Sequence, residues 1–164
     1  MTFSPRTWSV GEIVTAAMMN TEVRDQFNSI FAAWTTYTPT WSAPTPPTLG
    51  NGSITGRYIK VGRTCTVSWL LTIGSTTTLG SGAYLYGLPF TAASSTVHYL
   101  GSARLVGTDV WHGQVSVSTG ASSANFTFPA SATNARSANQ SASVPETLAA
   151  GTTVRGTVTY QTAT

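Results

Sequence analysis

The chain holds 164 residues, of which 41% are apolar and only 8% charged, where about 25% charged is usual. Serine and threonine supply roughly three residues in ten. This is not the charged, aromatic-poor composition of a disordered chain, and no apolar run approaches the roughly 20 residues of a membrane span. Cys65 stands alone, which excludes an internal disulfide framework and a cysteine-rich zinc site, and a net charge of +3 is too thinly spread for a nucleic-acid-binding stripe.

The opening residues lack the basic-then-apolar layout of a signal peptide, so export by that route is not expected. A helix follows. Thr15 can cap it, because its hydroxyl can accept a hydrogen bond from an unsatisfied N–H of the first turn. Ala16, Met19, Val23, Phe27, Ile30 and Trp34 then recur at steps of 3, 4, 4, 3 and 4, the period of one helix face. Glu22, Arg24, Asp25, Asn28 and Ser29 fall largely outside that stripe. Large apolar side chains each lose about 1.5–3 kcal/mol if left in water. The face formed by Met19, Val23, Phe27, Ile30 and Trp34 must therefore meet either the rest of the chain or the same helix of neighbouring copies. A proline-rich stretch separates this helix from the remainder, which favours self-association.

That stretch, Tyr37 to Leu49, contains Pro39, Pro44, Pro46 and Pro47. Prolines fix φ and remove donors, so it reads as a stiff connector, with Thr38 to Trp41 able to lie along a sheet edge. Asn51-Gly52 follows, a hairpin-turn dipeptide. The expected division is a docking or oligomerisation segment over 1–36, a connector over 37–49 and a β domain over 50–164.

From residue 53 the period is two. In Thr64 to Ile73, Cys65, Val67, Trp69, Leu71 and Ile73 point one way and Thr64, Thr66, Ser68 and Thr72 the other, the mark of a strand with one buried face. Comparable runs occupy Ile54–Val61, Ala83–Leu88, Val97–Val106, Val110–Ser118, Asn125–Phe128 and Thr153–Tyr160, separated by glycine- and proline-bearing turns. Such spacing predicts a mainly β chain whose body is an antiparallel sandwich, jelly-roll-like, behind one amphipathic helix. Ala130 to Ser143 has no period and reads as a long loop.

Chemistry is sparse. His98 and His112 fit no metal-ligand spacing and read as strand-surface residues. Asp109 and Glu146 are the only carboxylates after residue 34, one in a turn and one in a loop, and nothing in the sequence links them. No nucleophile elbow or phosphate-binding loop occurs. Arg57, Lys60 and Arg63 read as a solvated strand edge. No catalytic residue, cofactor or metal is expected. Trp41, Tyr84, Tyr86 and Trp111 are not clearly committed to the core and stand as candidates for stacking on sugars, against packing in the core or a subunit interface.

The segment Trp8-Ser-Val-Gly11-Glu12-Ile-Val-Thr15-Ala-Ala-Met-Met-Asn20-Thr21-Glu-Val23-Arg24-Asp25 resembles the N-terminal signature of minor tail and fibre-like virion proteins of phages infecting actinobacteria. Tyr37-Thr38-Pro39-Thr40-Trp41 resembles their connector, and Leu49 to Tyr58 the hairpin after it. Gly151 to Tyr160 resembles their last strand, with Gln161 where an acidic residue is usual. The likeness is strong over 8–60 and thin over 90–150. It implies a non-enzymatic structural component located in the virion. That component would be a homo-oligomer, as a trimer, docked on other virion proteins through its N-terminal segment, with the β body projecting outward. A tail fibre or tip fits this, with host-surface glycan adhesion as a further role. A capsid decoration or head fibre, or a stand-alone carbohydrate-binding module, are the alternatives. Neither nucleic acid nor a membrane is expected as a partner.

Overall fold

A computed structural model describes residues 6–163, with Ser29 described by its backbone alone. The first residues of the predicted 1–36 segment, Thr164 at the end of the β domain and the Ser29 side chain lie outside the described residues.

The N-terminal helix is α-helical over Ala16–Met19, π-helical over Asn20–Arg24 and α-helical again over Asp25–Ile30. Two successive four-residue steps in the apolar stripe overshoot a 3.6-residue turn. The wider π turn falls where those steps occur and takes up the overshoot. Thr15 caps as expected, its Oγ1 accepting from the Met18 N–H at 3.2 Å. The helix ends at Ile30, short of Trp34, where the apolar spacing ends. Thr35 and Thr36 are β-branched and pair with a strand, which pulls the chain into extended form four residues early.

The remainder is one antiparallel sheet. Its strands are β1 (Thr35–Tyr37), β2 (Trp41–Ser42), β3 (Ser53–Val61), β4 (Thr64–Thr72), β5 (Leu85–Gly87), β6 (Tyr99–Val106), β7 (Val110–Val117), β8 (Ser123–Ser131), β9 (Asn134–Asn139) and β10 (Thr153–Gln161). They run in the order β1-β3-β4-β10-β6-β7-β8-β5-β2, with β9 paired to β8. The seven runs of alternating residues all form strands, and the fold is mainly β and antiparallel. The sheet curls so that its halves face each other across the core. Trp69 of β4 meets Phe126 of β8 edge-on, with ring centroids 5.6 Å apart, and Tyr86 of β5 stacks on the same Phe126 at 4.3 Å. Gly156 of β10 makes the approach feasible, because a Cβ there would lie 2.4 Å from Phe126 Cζ.

β1 and β2 occupy the two ends of the sheet path, yet only Thr38-Pro39-Thr40 separates them. This strap crosses from one edge to the other and holds the curl shut. Gly87 accepts the Tyr37 phenol through its carbonyl at 2.9 Å and donates its N–H to the Thr40 carbonyl at 2.8 Å. The proline-rich stretch is thus bound to the body rather than spanning a gap. Pro39 and Pro47 are buried, and isolated bridges join Thr45 to Ser81 and Thr48 to Thr78.

Two further expectations are corrected. Asn51-Gly52 does not turn a hairpin: the turn is closed by Gly52 N–H on the Leu49 carbonyl, and β3 pairs with β1 and β4. Asn51 instead grips the loop after β4, its Oδ1 accepting from Thr76 N–H at 2.9 Å and its Nδ2 donating to Ser75 Oγ at 3.0 Å. The stretch from Ala130 is not a loop throughout, since β8 continues to Ser131 and returns as β9. β9 lies off the sheet path and is almost wholly exposed, so no buried face imposes alternation on its Ala, Ser and Asn residues.

Candidate functional site

The N-terminal segment hooks onto its own helix. Arg6 pairs with Glu12 at 2.6 Å and with Glu22 at 3.3 Å. The apolar stripe itself is left open. Phe27 is 60% exposed, Ile30 50%, Met19 45% and Trp34 37%, while Val23 is half-buried. Trp34 sits past the helix end, on the approach to β1. No described side chain of the 16–30 helix is buried. Of the two covers that burial chemistry allows for this stripe, the chain's own body does not supply one.

The aromatic candidates separate sharply. Tyr84 and Tyr86 are fully buried, so neither ring can stack on a sugar; this corrects their assignment as glycan contacts. Tyr84 donates to the Leu79 carbonyl at 2.8 Å, and Tyr86 donates to Gln140 Oε1 at 2.8 Å. Burial pushes the Tyr84 phenol up to about 12 and the Tyr86 phenol higher still. Trp41 is half-buried, edge-on to Tyr84 at 5.1 Å. Trp111 is half-buried, its Nε1 donating to Glu146 Oε2 at 2.9 Å. The four rings form no common platform, since Trp41, Tyr84 and Tyr86 belong to the β2–β5 end of the sheet and Trp111 to β7.

Glu146 links to Asp109 through the backbone, a connection sequence reading does not show. Its carboxylate accepts from Thr108 N–H at 2.7 Å, Asp109 N–H at 3.1 Å and the Trp111 indole. Gly107 must lack a side chain here, because a Cβ would sit 2.0 Å from Glu146 Oε1. The carboxylate therefore clamps the β6–β7 turn. Gln140 is the other polar residue that reading misses: it is fully buried just after β9, where its backbone bonds to Tyr84 and Phe126. Its position beside two inward aromatics is a long-range fact with no local signature.

The remaining titratable groups are scattered. His98 is exposed ahead of β6 and His112 is exposed on β7. Lys60 lies over the Phe90 ring at 4.8 Å, and Arg63 donates to the carbonyls of Thr162 and Ala163 at 3.2 and 3.3 Å. Cys65 is buried, and burial pushes its thiol up. Among the described residues, no three His, Cys, Asp or Glu side chains gather where they could hold a metal ion. No helix of the described residues is long and apolar enough to cross a membrane.

No protein-family model matches the chain, and no solved structure does. One curated protein, the Mu-like prophage FluMu defective tail fiber protein of Haemophilus influenzae, is 41% identical over 61 residues. That match takes in 37% of this chain and about a tenth of the relative's length. Over that segment the chain is similar to a phage tail-fibre protein.

Proposed function

We propose that this chain is a structural, non-enzymatic component of a phage tail fibre or tail tip, in a phage infecting an actinobacterium. It assembles as a trimer, with the helix stripe of Met19, Val23, Phe27 and Ile30 buried between copies or against a neighbouring virion protein. The β body then projects outward. The observation that carries this reading is the open apolar stripe on a helix that leads, within four residues, into the first strand of a well-packed body. The tail-fibre likeness supports the particle, the N-terminal motifs support the host group and the trimer, and the burial cost of the stripe supports association. Glu146, one of two carboxylates in the body, is engaged as a structural clamp, which suits a non-catalytic role.

Light scattering on the purified chain tests the reading. The expected mass is three times that of the monomer, with Phe27→Asp and Ile30→Asp shifting it to the monomer and blocking incorporation into particles. A wild-type chain that stays monomeric at micromolar concentration overturns the self-association. Normal incorporation of both variants overturns the role given to the helix.

A further inference from the structure

The outward face of the sheet carries a row of bases that the sequence does not reveal. Strand register places Arg155 of β10 directly opposite Arg104 of β6, and Arg104 directly opposite His112 of β7. Partners across adjacent antiparallel strands lie about 4.5–5.5 Å apart at Cα, so the three bases span about 10 Å. All three are exposed, and among the described residues neither guanidinium nor the imidazole makes a hydrogen bond or ion pair. Like charges set directly opposite one another destabilise a sheet. This pair of arginines stands without a carboxylate to offset it. The row one step along the strands is neutral: Ser68, Thr157, Ser102 and Gln114 follow one another across β4, β10, β6 and β7. Between the two rows lies a shallow groove of about 370 Å³, lined by Ser68, Ser102, Arg104, His112, Arg155 and Thr157.

We propose that this groove binds an acidic glycan, deepening the surface-exposed role inferred above, on which it rests. Arg155 and Arg104, with His112 beside them, hold one oxyanion of the polymer, a carboxylate or phosphodiester with two free oxygens. Guanidinium forks suit that geometry, and bonds to a charged acceptor are the strong ones. Ser68, Ser102 and Thr157 offer hydroxyls to the hydroxyl groups of the polymer on either side of that anion. The sparseness of charge selects the ligand class. Duplex DNA presents a charge about every 1.7 Å, far denser than three bases on three strands can match. The groove also offers no open ring for a base to stack on, its Trp69 being 3% exposed. A glycan with one acidic group per repeat matches both the isolated pair of arginines and the hydroxyls around it.

Binding of the full chain to immobilised polygalacturonate, poly(glycerol phosphate) and neutral dextran tests this, with duplex DNA as a fourth probe. The expected result is salt-sensitive binding to one or both acidic polymers, the stronger identifying the anion, and none to dextran. Arg104→Ser and Arg155→Thr each lower the affinity about tenfold or more. Arg104→Lys, which keeps the charge and loses the fork, falls between. Arg136→Ser on β9, outside the groove, leaves binding unchanged. All these positions face solvent, and an unchanged thermal transition shows that the fold survives. Equal binding to dextran, tighter binding to DNA, no binding to either acidic polymer, or an equal loss in Arg136→Ser each overturn the proposal. Failure here with the trimer intact removes the groove alone, whereas a monomeric chain that still binds removes the assembly reading and leaves the groove.

Discussion

At the scale of single residues, burial decides which polar groups are structural. Glu146 gathers three N–H donors at the β6–β7 turn, and one of them comes from a half-buried indole. A hydrogen bond to a charged group contributes about 1.5–3 kcal/mol, and leaving its buried partner unsatisfied adds to the loss. Because Glu146 is partly exposed, solvent screens part of this. Glu146→Ala is expected to lower stability by about 2–3 kcal/mol in urea denaturation, and Glu146→Gln by less, since the amide still offers one oxygen. Reading the sequence cannot pair Glu146 with Thr108, because 38 residues separate them and the match depends on how a loop returns. The burial of Tyr84 and Tyr86 was closer to hand. They sit two apart in a strand run and so share one face, and their two rings present more area to bury than Ala83, Leu85 and Gly87 do on the other.

Elements follow the same logic of buried faces. β4 and β10 lie inside the sheet with one side in the core, so Cys65 to Leu71 and Val154 to Tyr160 alternate clearly and are legible. β9 lies off the path and β1 and β2 are short end strands, so little alternation marks them. The helix was legible from its stripe, but its π turn and its end at Ile30 were not, since Trp34 continues the spacing after the backbone has become extended. The helix buries no described side chain, whereas Tyr37 and Trp41 pack on the core. Removal of residues 1–34 is therefore expected to leave the thermal transition of the body within a few degrees of the full chain when both are monomeric. Removal through Ser42 deletes both end strands; loss of a packed aromatic costs about 3–5 kcal/mol, so that fragment is expected to melt far lower or not to fold. Differential scanning calorimetry compares them directly.

Across the whole molecule, the core is rich in phenols that have no means of ionising cheaply. Tyr37, Tyr84, Tyr86 and Tyr160 are all raised, chiefly because burial disfavours the phenolate. An unfolded tyrosine releases its proton near its ordinary value of 10, while Tyr84 in the fold holds on up to about 12. The unfolded chain thus binds fewer protons in that window, and stability is whole below pH 10 and drains away as pH climbs through 12 and beyond. Denaturation midpoints taken from neutral to strongly alkaline pH check this, with the phenolate absorbance of these four tyrosines rising late and together with unfolding. Early, non-cooperative ionisation of all the tyrosines would contradict it. The basic row on the outer face belongs to this scale too. Arg104 and Arg155 stand on strands that are neighbours in space and 51 positions apart in the chain, so no inspection of local pattern could bring them side by side.

The strap at Thr38-Pro39-Thr40 has a mechanical meaning. A pull applied at the N-terminal end reaches the body through Thr35, so its first load falls on the three residue pairs that hold β1 to β3. If those yield, the strap passes tension on to β2 at the opposite edge before any strand of the interior is touched. The molecule thus has two sacrificial catches in series ahead of its core, a layout suited to a part that is tugged by one end while the other is held.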